Sequence, residues 1–68
     1  MNEEQFNADL RKFLKRFGVS AQREIEKAVW AGIESGALTG NETLKARARL
    51  EVEGVELDLV VEDDIRLS

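Results

Sequence analysis

RFGVSAQRE, residues 16–24, is the stretch whose reading decides how this chain folds. Phe17 closes one apolar series, Gly18 follows it, and Ser20 stands before a second series. A glycine directly behind a helical stripe suits a left-handed C′ position, and Val19 can then fold back onto the last turn. Serine is a favoured N-cap for whatever comes next. The stretch therefore reads as the end of one helix and the start of another. A connection as short as Gly18-Val19 makes the pair a helical hairpin.

Upstream, Phe6, Leu10, Phe13, Leu14 and Phe17 recur at steps of four, three, one and three, which is one face of a helix. Asn2 suits the N-cap, and Glu3 and Glu4 suit the positive end of the helix dipole. This places a first helix over about residues 3–17. Downstream, Ala21, Ile25, Ala28, Val29, Gly32 and Ile33 form a second stripe, which Gly36 ends. The second helix runs over about 21–35. Its face is built of small residues, which allows close approach by the Phe-rich face of the first.

SGALTGNETL, residues 35–44, carries the chain from helix to strand. It reads either as a connector or as a loop that also binds something, and the connector reading accounts for its glycines and its apolar residues. Gly36 ends the helix, Leu38 plugs the loop, Gly40-Asn41 turns, and Thr43-Leu44 opens a strand. From Leu44 the period becomes two: Leu44, Ala46, Ala48, Leu50 and Val52 on one face, Lys45, Arg47, Arg49, Glu51 and Glu53 on the other. After Gly54 the alternation resumes with Val55, Leu57, Leu59 and Val61. A two-residue turn at Glu53-Gly54 pairs Leu50 with Leu57 and Ala48 with Leu59, and sets Arg49 opposite Asp58 and Lys45 opposite Glu62. A further turn at Glu62-Asp63-Asp64 leaves Ile65-Arg66-Leu67 as a short third strand. The predicted strands are about 43–53, 55–62 and 65–67. The fold class is α+β: a two-helix hairpin packed on one face of a small antiparallel meander of two or three strands, ααβββ.

The 68 residues suit one small domain, whose core supplies no more than about 3–5 kcal/mol. There is no cysteine and no histidine, so neither disulfides nor a conventional zinc site can staple it. Packing, local propensity or a partner surface must do so, which makes homodimerisation an open option. The same absences leave no cysteine nucleophile, Ser-His pair or histidine base. Two helices over three strands also leave little depth for a cleft, so the chain is not expected to be an enzyme or to hold a cofactor.

No apolar run approaches the roughly 18 residues that span a bilayer, and the acidic start MNEEQFNADL does not resemble a signal peptide. A soluble cytoplasmic protein is expected, in which the sequon Asn41-Glu42-Thr43 carries no meaning. The net charge of −4 is unevenly spread: residues 1–35 hold six acids and six bases, residues 36–68 eight acids and four bases. Acidity of this kind repels nucleic acid, although a local basic patch can still bind it.

MNEEQFN at the start, RKFLKRFGV at 11–19, QREIEKAV at 22–29 and GNETL at 40–44 resemble a family of short bacterial proteins, classed as a domain of unknown function. The likeness is strong over residues 1–44 and looser over the strands. It implies a stand-alone bacterial cytoplasmic protein and brings no activity, ligand or catalytic residue. Trp30 stands outside the family pattern, so any role it has is particular to this protein.

The residues themselves offer a few constellations. Arg11, Lys12, Lys15 and Arg16 fill the exposed side of the first helix, and Arg23 and Lys27 extend them. They read as solubilising cations that complement a helix dipole, or as a docking face for phosphates or an acidic protein. Trp30, the only tryptophan, has Arg23, Lys27 and Glu34 as neighbours one or two turns away. It either laps the edge of the core under a cation or anchors an interface. Glu62-Asp63-Asp64 is a solvated turn, because three adjacent carboxylates supply too few oxygens in the wrong geometry for calcium. Val60 is the one apolar residue on the charged outer face of the sheet. The leading expectation is a small non-enzymatic protein-binding or adaptor module, using Trp30, Arg23, Lys27 and Glu34 toward an unidentified partner or a second copy. The alternative is nucleic-acid binding through Arg11, Lys12, Lys15, Arg16 and Arg23. No metal and no membrane partner are expected.

Overall fold

The computed structural model describes residues 1–68, with one helix, α1 (Glu3–Ser35), and two strands, β1 (Thr43–Leu50) and β2 (Leu59–Arg66). The chain divides into two compact units, Met1–Ala37 and Leu38–Ser68. The class is α+β, but neither the helical hairpin nor the third strand is present.

In the first unit both outer ends are built as the sequence predicts. Asn2 is extended (φ −93°, ψ 103°) and its side chain accepts from the Gln5 N–H at 3.1 Å. Glu3 and Glu4 occupy the first turn. At the other end Gly36 is left-handed (φ 84°) and donates its N–H to the Ile33 carbonyl at 3.2 Å. The inner boundary is the correction. Gly18, Val19 and Ser20 lie inside one continuous helix, and Gly18 has no positive φ.

The energetics favour continuity. A glycine within a helix costs about 1 kcal/mol relative to alanine. A break at Gly18 instead frees up to four carbonyls and four N–H groups for capping or water. With no proline in the chain, every residue through the seam can donate to the ladder. At 100° per residue, the stripe around Phe6, Leu10, Phe13 and Phe17 and that around Ile25, Val29 and Gly32 are offset by roughly 95°. That change of phase, with a glycine at the seam, is what makes one helix look like two. α1 is about 50 Å long.

In the second unit β1 and β2 pair antiparallel, with Leu44 opposite Ile65, Arg47 opposite Glu62 and Leu50 opposite Leu59. The register is shifted by two residues from the expected one. A shift of two preserves the faces, so the predicted alternation survives while the partners change. On the expected register Leu44 would oppose Asp63 and Arg47 would oppose Val60. The actual one sets Arg47 against Glu62 and Lys45 against Asp64, as many favourable charge pairings as the expected register offers, and in addition gives Leu44 an apolar partner in Ile65.

The ladder stops at Leu50–Leu59 for an equally local reason. Continuing it would set Glu51 against Asp58 and Glu53 against Glu56, like charges directly across. It would also put β-branched Val55 in a two-residue turn that needs positive φ. Instead Glu53-Gly54 makes the turn, with only Gly54 left-handed (φ 87°), at the tip of an eight-residue loop, Glu51 to Asp58. Glu62-Asp63-Asp64 is not a turn but the middle of β2, and Ile65 and Arg66 end that strand instead of opening a third. Leu67 donates its N–H to the Glu42 carbonyl at 3.0 Å. Asp63 consequently falls on the apolar face, opposite Ala46, and interrupts it.

Candidate functional site

No residue of α1 is buried. Phe6, Leu10, Phe13, Leu14 and Phe17 are between 42% and 52% exposed, although an amphipathic helix normally covers such a stripe. Continuity of the helix also lines up residues that two antiparallel helices would have separated. At 100° per residue Lys12, Arg16, Arg23, Lys27, Trp30 and Glu34 all fall within a sector about 60° wide, centred about 115° around the helix from the Phe6–Phe17 stripe. Lys15 lies about 60° and Arg11 about 100° outside that sector, both on the same side. Trp30 is 64% exposed, so it is a surface side chain and not the edge of a core.

Among the cations of this face, only Lys27 has a carboxylate within ion-pair distance, Glu24 at 3.4 Å. Arg11, Lys12, Lys15, Arg16 and Arg23 make no ion pair. The face is therefore basic, aromatic and free to meet a partner. An open depression beside it is lined by Val19, Gln22, Arg23 and Glu26, with the Gln22 amide donating to Glu26 at 2.9 Å.

The charged face of the sheet is organised around Glu62. Its Oε1 accepts from Arg47 Nε at 2.9 Å and Nη2 at 2.8 Å, and Lys45 lies 4.0 Å from Oε2. Arg49 and Asp58 are 3.9 Å apart. All these cations are solvated, and pairs of this kind contribute little each. No cluster of three or more potential metal-ligating carboxylates forms.

The 35–44 loop is occupied by its own side chain. The Glu42 carboxylate accepts from the Thr39 N–H at 2.8 Å and the Gly40 N–H at 3.0 Å, and the Thr39 hydroxyl accepts from the Asn41 N–H at 3.4 Å. The Thr39 N–H above all, opposed by partial burial and helped by Gly40, holds the Glu42 carboxyl below its ordinary value. Glu42 is the residue of GNETL that the connector reading leaves without a task. The available signal was a carboxylate two residues after a turn glycine, within reach of the N–H groups that the turn turns inward. These donors are satisfied within the chain, which agrees with a connector.

Residues 1–68 match the family described as a family of unknown function, DUF6494. The chain belongs to that family. The likeness to a domain of unknown function read from the N-terminal segments thus extends over the strands as well. No curated protein and no solved structure matches the chain. Membership in DUF6494 assigns no site, so the geometry of α1 has to carry the functional reading. No helix is long and apolar enough to cross a membrane.

Proposed function

We propose that this DUF6494 protein is a non-enzymatic protein-binding module whose contact element is the Trp30 face of α1. The observation that supports it most is the exposure of Trp30 in line with four cations, Lys12, Arg16, Arg23 and Lys27. Aromatic and arginine side chains are the residues most often responsible for binding energy at interfaces. Cations along the same face steer an acidic partner and raise its association rate. The partner is accordingly a protein with an acidic surface and an apolar pocket for the indole. The cytoplasm is the compartment proposed for this encounter.

Trp30→Ala tests the reading. The helical signal in circular dichroism should persist, while capture of protein partners from nuclease-treated lysate should fall at least tenfold, as for loss of a central aromatic anchor. A variant that captures as well as the parent chain rejects the Trp30 face.

The unpaired state of Arg11, Lys12, Lys15, Arg16 and Arg23 favours one second reading, nucleic-acid binding. It predicts retardation of nucleic acid that weakens steeply as salt rises. Absence of a shift at about 50 mM salt rejects it.

A further inference from the structure

The apolar stripe lies on the other side of α1 and its spacing has a symmetry of its own. Phe6, Leu10, Phe13, Phe17, Ala21, Ile25, Ala28 and Ile33's neighbour Gly32 follow one another at steps of four, three, four, four, four, three and four. The series is the same read in either direction, with its midpoint at Val19. Two copies of α1 laid antiparallel, with the two-fold axis level with Val19, therefore set each of these eight positions against another of them, while Leu14, Val29 and Ile33 at the margin of the stripe fall level with Glu24, Asp9 and Gln5. Sizes then complement one another. Phe6 meets Gly32, Leu10 meets Ala28, Phe13 meets Ile25, and Phe17 meets Ala21. Large residues against small ones let two helices interdigitate. A parallel pair in register would instead set phenylalanine on phenylalanine at one end and alanine or glycine on each other at the far end.

Charge agrees with the antiparallel arrangement. Antiparallel helices meet along like edges; Asp9 and Glu24 border this stripe on one side, and Arg16 and Lys27, the cations of the Trp30 sector nearest to it, lie on that same side. Antiparallel pairing about Val19 brings Asp9 near Lys27 of the second copy and Arg16 near its Glu24, each offset by about 3 Å along the axis. The other edge sets Leu14 beside the second copy's Ile25. Asp9 and Glu24 already have partners on their own helix, Gln5 at 3.0 Å and Lys27 at 3.4 Å, so pairing would join existing contacts into mixed clusters.

We infer that the stripe is covered by a second copy of this chain, as an antiparallel helix pair centred on Val19. The Trp30 ring lies nearly opposite and stays free on such a dimer, whereas Arg16 and Lys27 border both surfaces; the dimer rests on the apolar stripe and not on Trp30, and in that sense stands apart from the proposed function. The partner that reads Trp30 and the copy that covers the stripe occupy different sides of one helix.

The chain has no cysteine, which allows a clean test by disulfide formation. Leu10→Cys and Ala28→Cys are made separately, oxidised alone and then as an equal mixture. The antiparallel pair predicts a covalent dimer in the mixture and almost none with either variant alone, since like positions are roughly 27 Å apart. Cross-linking of Leu10→Cys with itself identifies a parallel pair and overturns the inference. Sedimentation of the unmodified chain from about 1 to about 100 µM supplies the second measurement, independent of any cysteine variant. A mass that stays monomeric throughout also overturns it. Phe13→Glu should weaken the dimer roughly 100-fold while Trp30→Ala leaves it unchanged. If Trp30→Ala loses partner capture in a chain that is monomeric, the proposed function stands and the antiparallel pair falls. If the dimer forms and Trp30→Ala captures normally, the reverse holds.

Discussion

The helix and the hairpin of this protein solve opposite halves of the folding problem. α1 satisfies its backbone hydrogen bonds within itself, caps both ends, and carries six acids against six bases. What it leaves open is apolar surface. The hairpin joins only two strands, leaves both outer edges unpaired, and holds the whole net charge of −4. It leaves backbone and charge open, and Asp63 breaks up the apolar face it does have. The difference separates two meanings of "unfinished". An element with an uncovered apolar stripe invites a partner of matching shape, whereas a charged edge discourages pairing. The interaction proposals accordingly rest on α1 and none rests on the sheet.

The largest expected effect breaks the comparison on the helical side. Gly18→Pro removes an N–H from the middle of the ladder and sets its ring against the Leu14 carbonyl, at a cost of about 3 kcal/mol or more. The helical circular dichroism signal should drop well beyond a single turn's worth, because a central break splits one cooperative helix into two short ones. A two-helix chain with its boundary at Gly18 would lose little helical signal.

A smaller effect sharpens the comparison on the other side. The Glu42 carboxyl titrates below its ordinary value of 4.5, chiefly because it accepts the Thr39 N–H. A depressed folded value means stabilisation that is full above the unfolded value and disappears as pH falls through the folded one. The 38–44 segment should therefore loosen in acid, below about pH 4.5 and not above it. Glu42→Gln should flatten that pH dependence, which amide exchange at Thr39 and Gly40 reads directly. Acid loosening that is unchanged by Glu42→Gln would assign it to another group.

Much of this architecture was legible in the sequence because the signals were local. Asn2 and Gly36 identify their helix ends by side-chain chemistry and backbone freedom. The switch from period 3.6 to period 2 at Leu44 and the turn at Glu53-Gly54 are equally local. The strand register needed the partners at the far end of the ladder, where Leu44 meets Ile65 and not Asp63, whereas the turn alone pointed to a pairing two residues away. Gly18 misled because a glycine at a phase change has the same appearance whether the helix stops or continues. Only the cost of breaking the ladder decides between them. For the candidate site, the members were legible but their grouping was not. Lys12, Arg16, Arg23, Lys27 and Trp30 come into line once the helix is continuous, and the symmetry of the stripe is visible only when its two halves are read as one.

Everything proposed for α1 depends on that continuity, and replacing Gly18 with alanine tests it most directly. Gly18 is helical and a Cβ there meets nothing within 4 Å, whereas Gly36 is left-handed at φ 84°. In a continuous helix Gly18→Ala should raise unfolding stability by roughly 0.5–1 kcal/mol. Gly36→Ala should lower it by about 1–2 kcal/mol, as the reference for a true helix end. If Gly18→Ala destabilises the protein as Gly36→Ala does, Gly18 is a left-handed cap, the helix ends there, and the single 33-residue helix is contradicted.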